Sequence, residues 1–295
     1  MVMKNRSIAD KIGYAFIIVF LIIMAALCAY PLLNTIAISL SDKSAVAAGR
    51  VTIFPVDFTL KAYGVILQDA KFFRATMISV VRVILGGSLS FVLTILMAYP
   101  LSKTKKEFRL RNVFMWTVVF TTLFSGGLIP WYMTIAKLNI LNTIWALVLP
   151  SAVPAGNVIM LMNFFRNLPK ELNEAAVMDG ASEWSVMWKI YIPLSLPALA
   201  TVTLFSLVGI WNDFFNGLIL MNSDNYPLQT YIQQLVVSVN DLRLYTPEEM
   251  LLLTEVSNST LNMAKIVVSM LPILILYPFL QRFFMTGLVL GAVKE

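Results

Sequence analysis

The chain has 295 residues, 59% hydrophobic and 13% charged, with a formal net charge of +6 and a mean hydropathy of +0.79. A soluble domain carries roughly 25% charged residues and cannot hide this much apolar surface, because surface grows nearly as fast as mass. A soluble enzyme, a DNA-binding domain and a disordered chain are therefore excluded, and the solvent is largely the lipid bilayer. With no His and only Cys28, His-based acid–base catalysis, His–Cys zinc sites and internal disulfides are excluded too, so no catalytic and no metal-ligating residue is expected.

A membrane helix needs about 20 mostly apolar residues. Mostly apolar stretches with few charges place six helices, at about 12–33, 78–100, 113–135, 143–165, 196–221 and 264–287. The fold class is thus an all-α membrane protein with six transmembrane helices. Residues 1–11 form an N-terminal segment with Lys4, Arg6 and Lys11. The following apolar run is too long for a signal peptide and lacks an A-x-A cleavage site, so 12–33 reads as a retained first helix. Residues 34–77 form an outer loop with a possible amphipathic stretch near Leu60–Phe73. Arg82, at the outer start of the second helix, is expected to snorkel. Lys103, Lys105, Lys106, Arg109 and Arg111 cluster between the second and third helices. Cytoplasmic loops collect Lys and Arg, so this cluster faces inward, both termini are cytoplasmic, and the basic balance needs no nucleic acid.

The fourth helix carries Pro150, Pro154 and Gly156 and should kink. The fifth carries Asp213 within the membrane, expensive and functional by default. With Asn212 and Asn216 as amide partners and Trp211 as a stacking face, it is a candidate substrate path. An inter-helix or inter-subunit hydrogen bond is the favoured reading, and a proton relay with Arg82 the remote one. A second outer loop, 222–263, is helix-permissive, with Thr246-Pro247-Glu248-Glu249 resembling a helix start. The sixth helix is short and holds Pro272 and Pro278; Lys265 can snorkel at its start. No internal repeat and no G-x-x-x-x-G-K-[ST] phosphate loop is present.

The most informative stretch is 167–193. It reads as two short helices joined by Gly180, a left-handed cap. Pro169 suits the first helical position, Glu171 and Glu174 lie near the positive end of the first helix, Ser182 can cap the second, and Pro193 ends it. Leu172, Ala175 and Ala176 share one face. Two readings are open from the residues: a docking element for a partner, or a loop covering the bundle's own inner face.

Glu174-Ala175-Ala176, three residues, Gly180, nine residues, then Ile190-Tyr191-Ile192-Pro193 resembles the EAA motif, E-A-A-x3-G-x9-I-x-L-P, with Ile192 for Leu. That motif marks the membrane-spanning permease subunits of bacterial ABC importers. Trp211-Asn212-Asp213-Phe214 is similar to the W-N-[DE]-F of the sugar-transporting branch, although Gly217 stands where that branch has Pro. Gly287 to Glu295 resembles the G-L-x-x-G-A-V-K tail of a maltose-type permease. Phe124 to Pro130 and Leu141 to Ala146 resemble the subgroup tied to complex and uronate-containing polysaccharides.

The resemblance implies a type I ABC importer permease fold of the bacterial inner membrane, with a five-helix core over 78–287 and a cytoplasmic tail over 288–295. It implies ATPase coupling through Glu171, Glu174, Ala175, Ala176, Asp179, Gly180, Ile190 and Pro193. Tail contact with the ATPases would fall to Gly291, Ala292, Val293 and Lys294. The implied partners are a second permease subunit in a heterodimer, two ATPase subunits and an extracytoplasmic solute-binding protein. ATP-Mg would be bound by the ATPases, with no cofactor in this chain. The implied cargo is an oligosaccharide. The rival reading is an ion-coupled secondary transporter.

Overall fold

The computed structural model describes residues 8–237 and 258–292, with side chains over 11–235 and 258–278. Among these residues the regular structure is helical, apart from one bridge between Ser41 and Phe58. The chain divides into two compact units, Met1–Ala70 with Gln234–Met270, and Lys71–Gln233 with Leu271–Glu295.

The first unit contains α1 (Ile8–Ser39), α2 (Lys43–Ala47) and α3 (Lys61–Ile66). The apolar window of α1 has none of its residues buried within the protein, which water would not tolerate and lipid does. Pro31 lies inside α1, and Thr35 Oγ1 donates to the Pro31 carbonyl at 2.8 Å. The segment after α1 is structured: Asn34 Nδ2 donates to Thr52 O at 2.6 Å. Asp42 caps α2 through the Ser44 N–H at 2.9 Å. The Ser44 backbone and hydroxyl donors hold the Asp42 carboxyl below the usual carboxylate range.

In the second unit lie α4 (Ala70–Ser102) from Lys71 on, α5 (Arg111–Leu123), α6 (Leu128–Lys137), α7 (Ile144–Val148), α8 (Ala155–Arg166), α9 (Lys170–Met178), α10 (Glu183–Val186), α11 (Ile192–Leu194), α12 (Leu196–Asn212), α13 (Phe215–Leu220) and the first part of α14 (Leu228–Val237), whose end from Gln234 belongs to the first unit. The last helix, α15 (Asn258–Ala292), has its first part in the first unit and the rest in the second. Ile95, Ala98, Val158, Leu161, Phe165, Met187 and Val202 form the main core of the second unit. Gly86 and Gly87 let α12 approach α4, and a Cβ on Gly87 would lie 2.6 Å from Leu207 Cδ2. Asn157 Nδ2 donates to Val202 O and Ser206 Oγ, both at 2.9 Å, and Ser90 and Ser206 hydroxyls pair at 3.1 Å. Small residues and side-chain hydrogen bonds hold helices together where burial from lipid gives no driving force.

Three helices are long and apolar enough to cross a membrane unbroken: α1 from Lys11, α4, and α15 to Pro278. Three bent helix pairs pass the same test when each pair is taken together, which makes up to six spans if each pair crosses once, and here the structure corrects the sequence expectation. The helix expected at 113–135 is two, α5 and α6, bent by 116°. Gly127 at φ +84° starts α6, a conformation an L side chain rarely adopts, and the Gly pair before Pro130 lowers helix propensity at the same place. The expected kink in the fourth span is present: residues 144–151 and α8 meet at 42°. The helix expected at 196–221 breaks at Asp213, which is extended (φ −74°, ψ 105°).

The remaining bounds also move. The first helix covers 8–39 rather than 12–33, so the outer loop expected at 34–77 is bounded by helix on both sides and contains α2 and α3. The second loop, 222–263, contains α14 and the start of α15. The helix start expected at Thr246 lies outside the described residues. The tail expected from 288 is helical to Ala292.

Candidate functional site

The 167–193 stretch folds as expected, a helix pair around Gly180. Pro169 is the N-cap of α9, one position earlier than expected, and Glu171 sits in the first turn. At the other end the chain makes a complete Schellman turn. Ala181 N–H donates to Ala176 O at 2.9 Å and Gly180 N–H to Val177 O at 3.0 Å. Asp179 is the C-cap and Gly180 has φ +77°. This is the physical content of the Ala-x3-Gly spacing. The third residue from the helix end supplies the carbonyl, the glycine takes the left-handed position, and Ala176 and Ala181 pack inward as the paired apolar contact.

A Cβ on Gly180 would meet no atom within 4 Å, so substitution there is purely a backbone matter. Gly180→Ala is expected to cost about 1–2 kcal/mol, Gly180→Asn less, and Gly180→Pro to destroy the turn, because proline holds φ near −65°. Thermal unfolding of the purified protein ranks the three. Equal melting of the Ala and Pro variants would show that the turn is not held as described.

Ser182 accepts from Ser185 N–H at 3.3 Å and so caps α10. The chain then loosens into a π turn over Met187–Tyr191. Pro193 does not end the segment as expected. It sits inside α11, and the direction changes at Ser195, where residues 183–194 and α12 meet at 83°. Proline has no N–H to donate, and the Ile192 N–H reaches back five residues to Met187 O.

The helix pair has an inward and an outward face. Ala176, Val186, Met187 and Tyr191 are buried, and Ile190 packs against the same core. Glu171, Glu174, Ala175, Asp179 and Pro193 are exposed. The face expected to hold Leu172, Ala175 and Ala176 together is divided, since Ala176 turns into the core. In its place stands an apolar tip that the periodicity did not indicate: Met178 is 88% exposed, Trp184 61%, with Val177 and Trp188 half exposed. Trp184 and Trp188 meet edge to face, centroids 6.5 Å apart.

Beneath the pair lies a residue expected only as a loop charge. Lys103, just past α4, is 7% exposed. Its Nζ donates to Asn173 Oδ1 at 2.9 Å and pairs with Glu183 Oε2 at 2.9 Å. Nearby, Thr104 holds Glu107: the hydroxyl donates at 2.6 Å and the backbone N–H at 2.7 Å. These bonds, the hydroxyl's above all, hold the Glu107 carboxyl below its ordinary value against partial desolvation, with Lys103 and Lys170 adding to the effect.

The candidate substrate-path residues are largely engaged internally. Arg82 does not snorkel. It is 2% exposed and pairs with the Asp213 carboxylate, while its second guanidinium nitrogen donates to Asp213 O at 3.1 Å. Asn216 donates through its side chain to Asp213 Oδ2 at 2.6 Å and through its backbone to Oδ1 at 3.2 Å. Trp211 lines an apolar groove of about 520 Å³ with Val80, Ile84, Leu204, Phe205 and Tyr277. Only Asn212 of the four is exposed. Lys265 does not snorkel either, being buried and paired with Asp69 at 2.6 Å. Both exceptions have one cause: an opposite charge inside the protein is nearer than water. Gly291 and Ala292 lie in the last turn of α15, and Val293 and Lys294 lie outside the described residues. No group of His, Cys, Asp and Glu among the described residues could hold a metal ion.

Residues 82–290 match the binding-protein-dependent transport system inner membrane components. The chain belongs to that family. It is a multi-pass permease of the cell membrane, and the ion-coupled rival is set aside. The permease is 37% identical over 293 residues to the polygalacturonan/rhamnogalacturonan transport system permease protein YtcP of Bacillus subtilis, covering 99% of this chain and 100% of that one. It is 40% identical over 278 residues to protein LplC of the same organism, covering 94% and 93%. Among solved structures it superposes, with TM-score 0.89 and 33% identity over 96% of this chain and 100% of the other, on a chain of a bacterial ABC transporter involved in the import of the acidic polysaccharide alginate.

Proposed function

We propose that this permease forms, with a second permease subunit, the membrane path of an ATP-driven importer for acidic oligosaccharides, and that the 167–193 helix pair is where the ATPase subunits dock. The observation that carries the docking reading is the outward face of that pair. Exposed Met178, Trp184 and Trp188 stand beside exposed Glu171, Glu174 and Asp179, around a turn closed by two backbone hydrogen bonds. Aromatic and Met anchors rimmed by charge are what a partner surface recognises. ATP-Mg then binds on the partner subunits, since this chain has no phosphate loop. The basic cluster Lys103–Arg111 supports a cytosolic position for the helix pair. The acidic-sugar class is carried over from YtcP and the alginate importer.

Glu174→Arg together with Met178→Asp is expected to weaken retention of the ATPase subunits at least about tenfold, as loss of a central anchor does, with the permease pair still assembled. Co-purification of the two permeases and the ATPases measures it, and undiminished retention overturns the docking reading. With a solute-binding protein in proteoliposomes, galacturonan and alginate oligosaccharides are the probes for the cargo. Stimulation of ATP hydrolysis by arabino-oligosaccharides alone would overturn the acidic class and leave the permease assignment standing.

A further inference from the structure

We propose that Lys103 is the positioning residue that fastens both helices of the docking element to α4, so that a displacement of the pair reaches a membrane-spanning helix as a single rigid movement. This inference rests on the docking reading above. One buried ammonium has one polar partner on each helix. Asn173 Oδ1 on α9 accepts at 2.9 Å and Glu183 Oε2 on α10 lies at 2.9 Å. Lys103 itself directly follows α4, whose last residue is Ser102. The ammonium also stands 4.7 Å from the ring centroid of Tyr99 on α4 and 5.3 Å from that of Tyr191. Tyr99 closes the set by donating its hydroxyl to Glu183 Oε2 at 2.5 Å. The two tyrosine rings meet edge to face at 5.0 Å, with Phe165 against Tyr191 at 5.5 Å.

Two physical points separate this cluster from ordinary packing. The apolar contacts of Ala176, Val186 and Met187 are non-directional and allow the pair to slide. Hydrogen bonds are directional and fix its orientation. A buried ammonium left without partners is costly, so Lys103 resists losing either helix. A lysine has three donors, and here two oxygens and two ring faces surround them. A sliding helix pair would dissipate the motion that ATP-driven closure imposes, and a pinned pair delivers it to α4.

The test is hydrogen exchange of the whole transporter, permease pair with ATPases in nanodiscs, with and without ATP, Mg²⁺ and vanadate. No sugar is needed. In the wild type, nucleotide is expected to alter exchange in both 170–191 and 95–111. In Lys103→Met the change in 170–191 persists, and that in 95–111 shrinks about fivefold or more, the low end of site-to-site coupling. A role in packing alone would change exchange without nucleotide and leave the nucleotide response joined across the two segments; that outcome overturns the inference. Should Lys103→Met fail to assemble, Asn173→Leu and Glu183→Leu, at less buried positions, each release one helix. Wild-type responses from both overturn the inference equally. Glu174→Arg tells the two readings apart. Its nucleotide response should vanish from both segments, and a wild-type response there sinks the docking reading itself.

Discussion

Arg82→Met is expected to destabilise the permease by about 3–5 kcal/mol, the usual cost of removing one partner from a buried ion pair. The guanidinium is almost wholly buried and serves two purposes at once. It neutralises the Asp213 carboxylate, and it donates to the Asp213 carbonyl at 3.1 Å, a group that the broken helix leaves without its usual partner. Removing it strands a carboxylate at the break between α12 and α13, with only the Asn216 amide and backbone N–H left as donors. Asp213→Leu should cost a similar amount, because it strands the guanidinium and removes the bond at the start of α13. The double variant Arg82→Met/Asp213→Leu leaves no charge behind and is expected to melt above either single one. Thermal unfolding of the detergent-solubilised transporter closes the cycle. A double variant no more stable than the worse single would mean that the two charges do not depend on each other.

Gly217→Ala carries the second large effect. A Cβ there would lie 2.1 Å from Thr230 Oγ1 and 2.8 Å from Pro227 Cδ, far inside contact distance. Neither neighbour yields easily. Thr230 is fully buried and its hydroxyl donates to Phe214 O at 2.7 Å, while Pro227 is a rigid ring just before α14. Overpacking of this kind costs about 1–3 kcal/mol, and the clash with a ring puts the expectation at the upper end. Thr230→Ala in the same chain removes the nearer obstacle and should recover part of the loss, with Pro227 still in the way. If Gly217→Ala melts like the wild type, the approach of α13 to the start of α14 is looser than described.

The Gly180 helix pair and the ion pair illustrate two kinds of stability. The Schellman turn at Gly180 is local, held by bonds between residues five apart or fewer, and tolerates changes that respect its backbone. The Arg82–Asp213 and Lys103 clusters join residues far apart in the chain and fail when one member is lost.

The membrane environment, six apolar stretches, the kink at Pro150–Pro154 and the Gly180 turn were legible in the residues alone. Each is a local matter: hydropathy, helix-breaking proline and a left-handed glycine act through near neighbours. The break at Phe124–Gly127 was legible too, in Ser125-Gly126-Gly127 before Pro130, but a count of uncharged residues treats glycine as apolar and passes over it. The fates of Arg82, Lys103 and Lys265 belonged to the tertiary structure. A lone cation in an apolar stretch snorkels or pairs according to whether a carboxylate distant in sequence arrives beside it, and Asp213, Glu183 and Asp69 do so only when the helices pack. The outward apolar tip of Met178, Trp184 and Trp188 was hidden for the same reason. Which face of a short helix points outward is set by what covers the other one, and here the core took Ala176, Val186 and Met187.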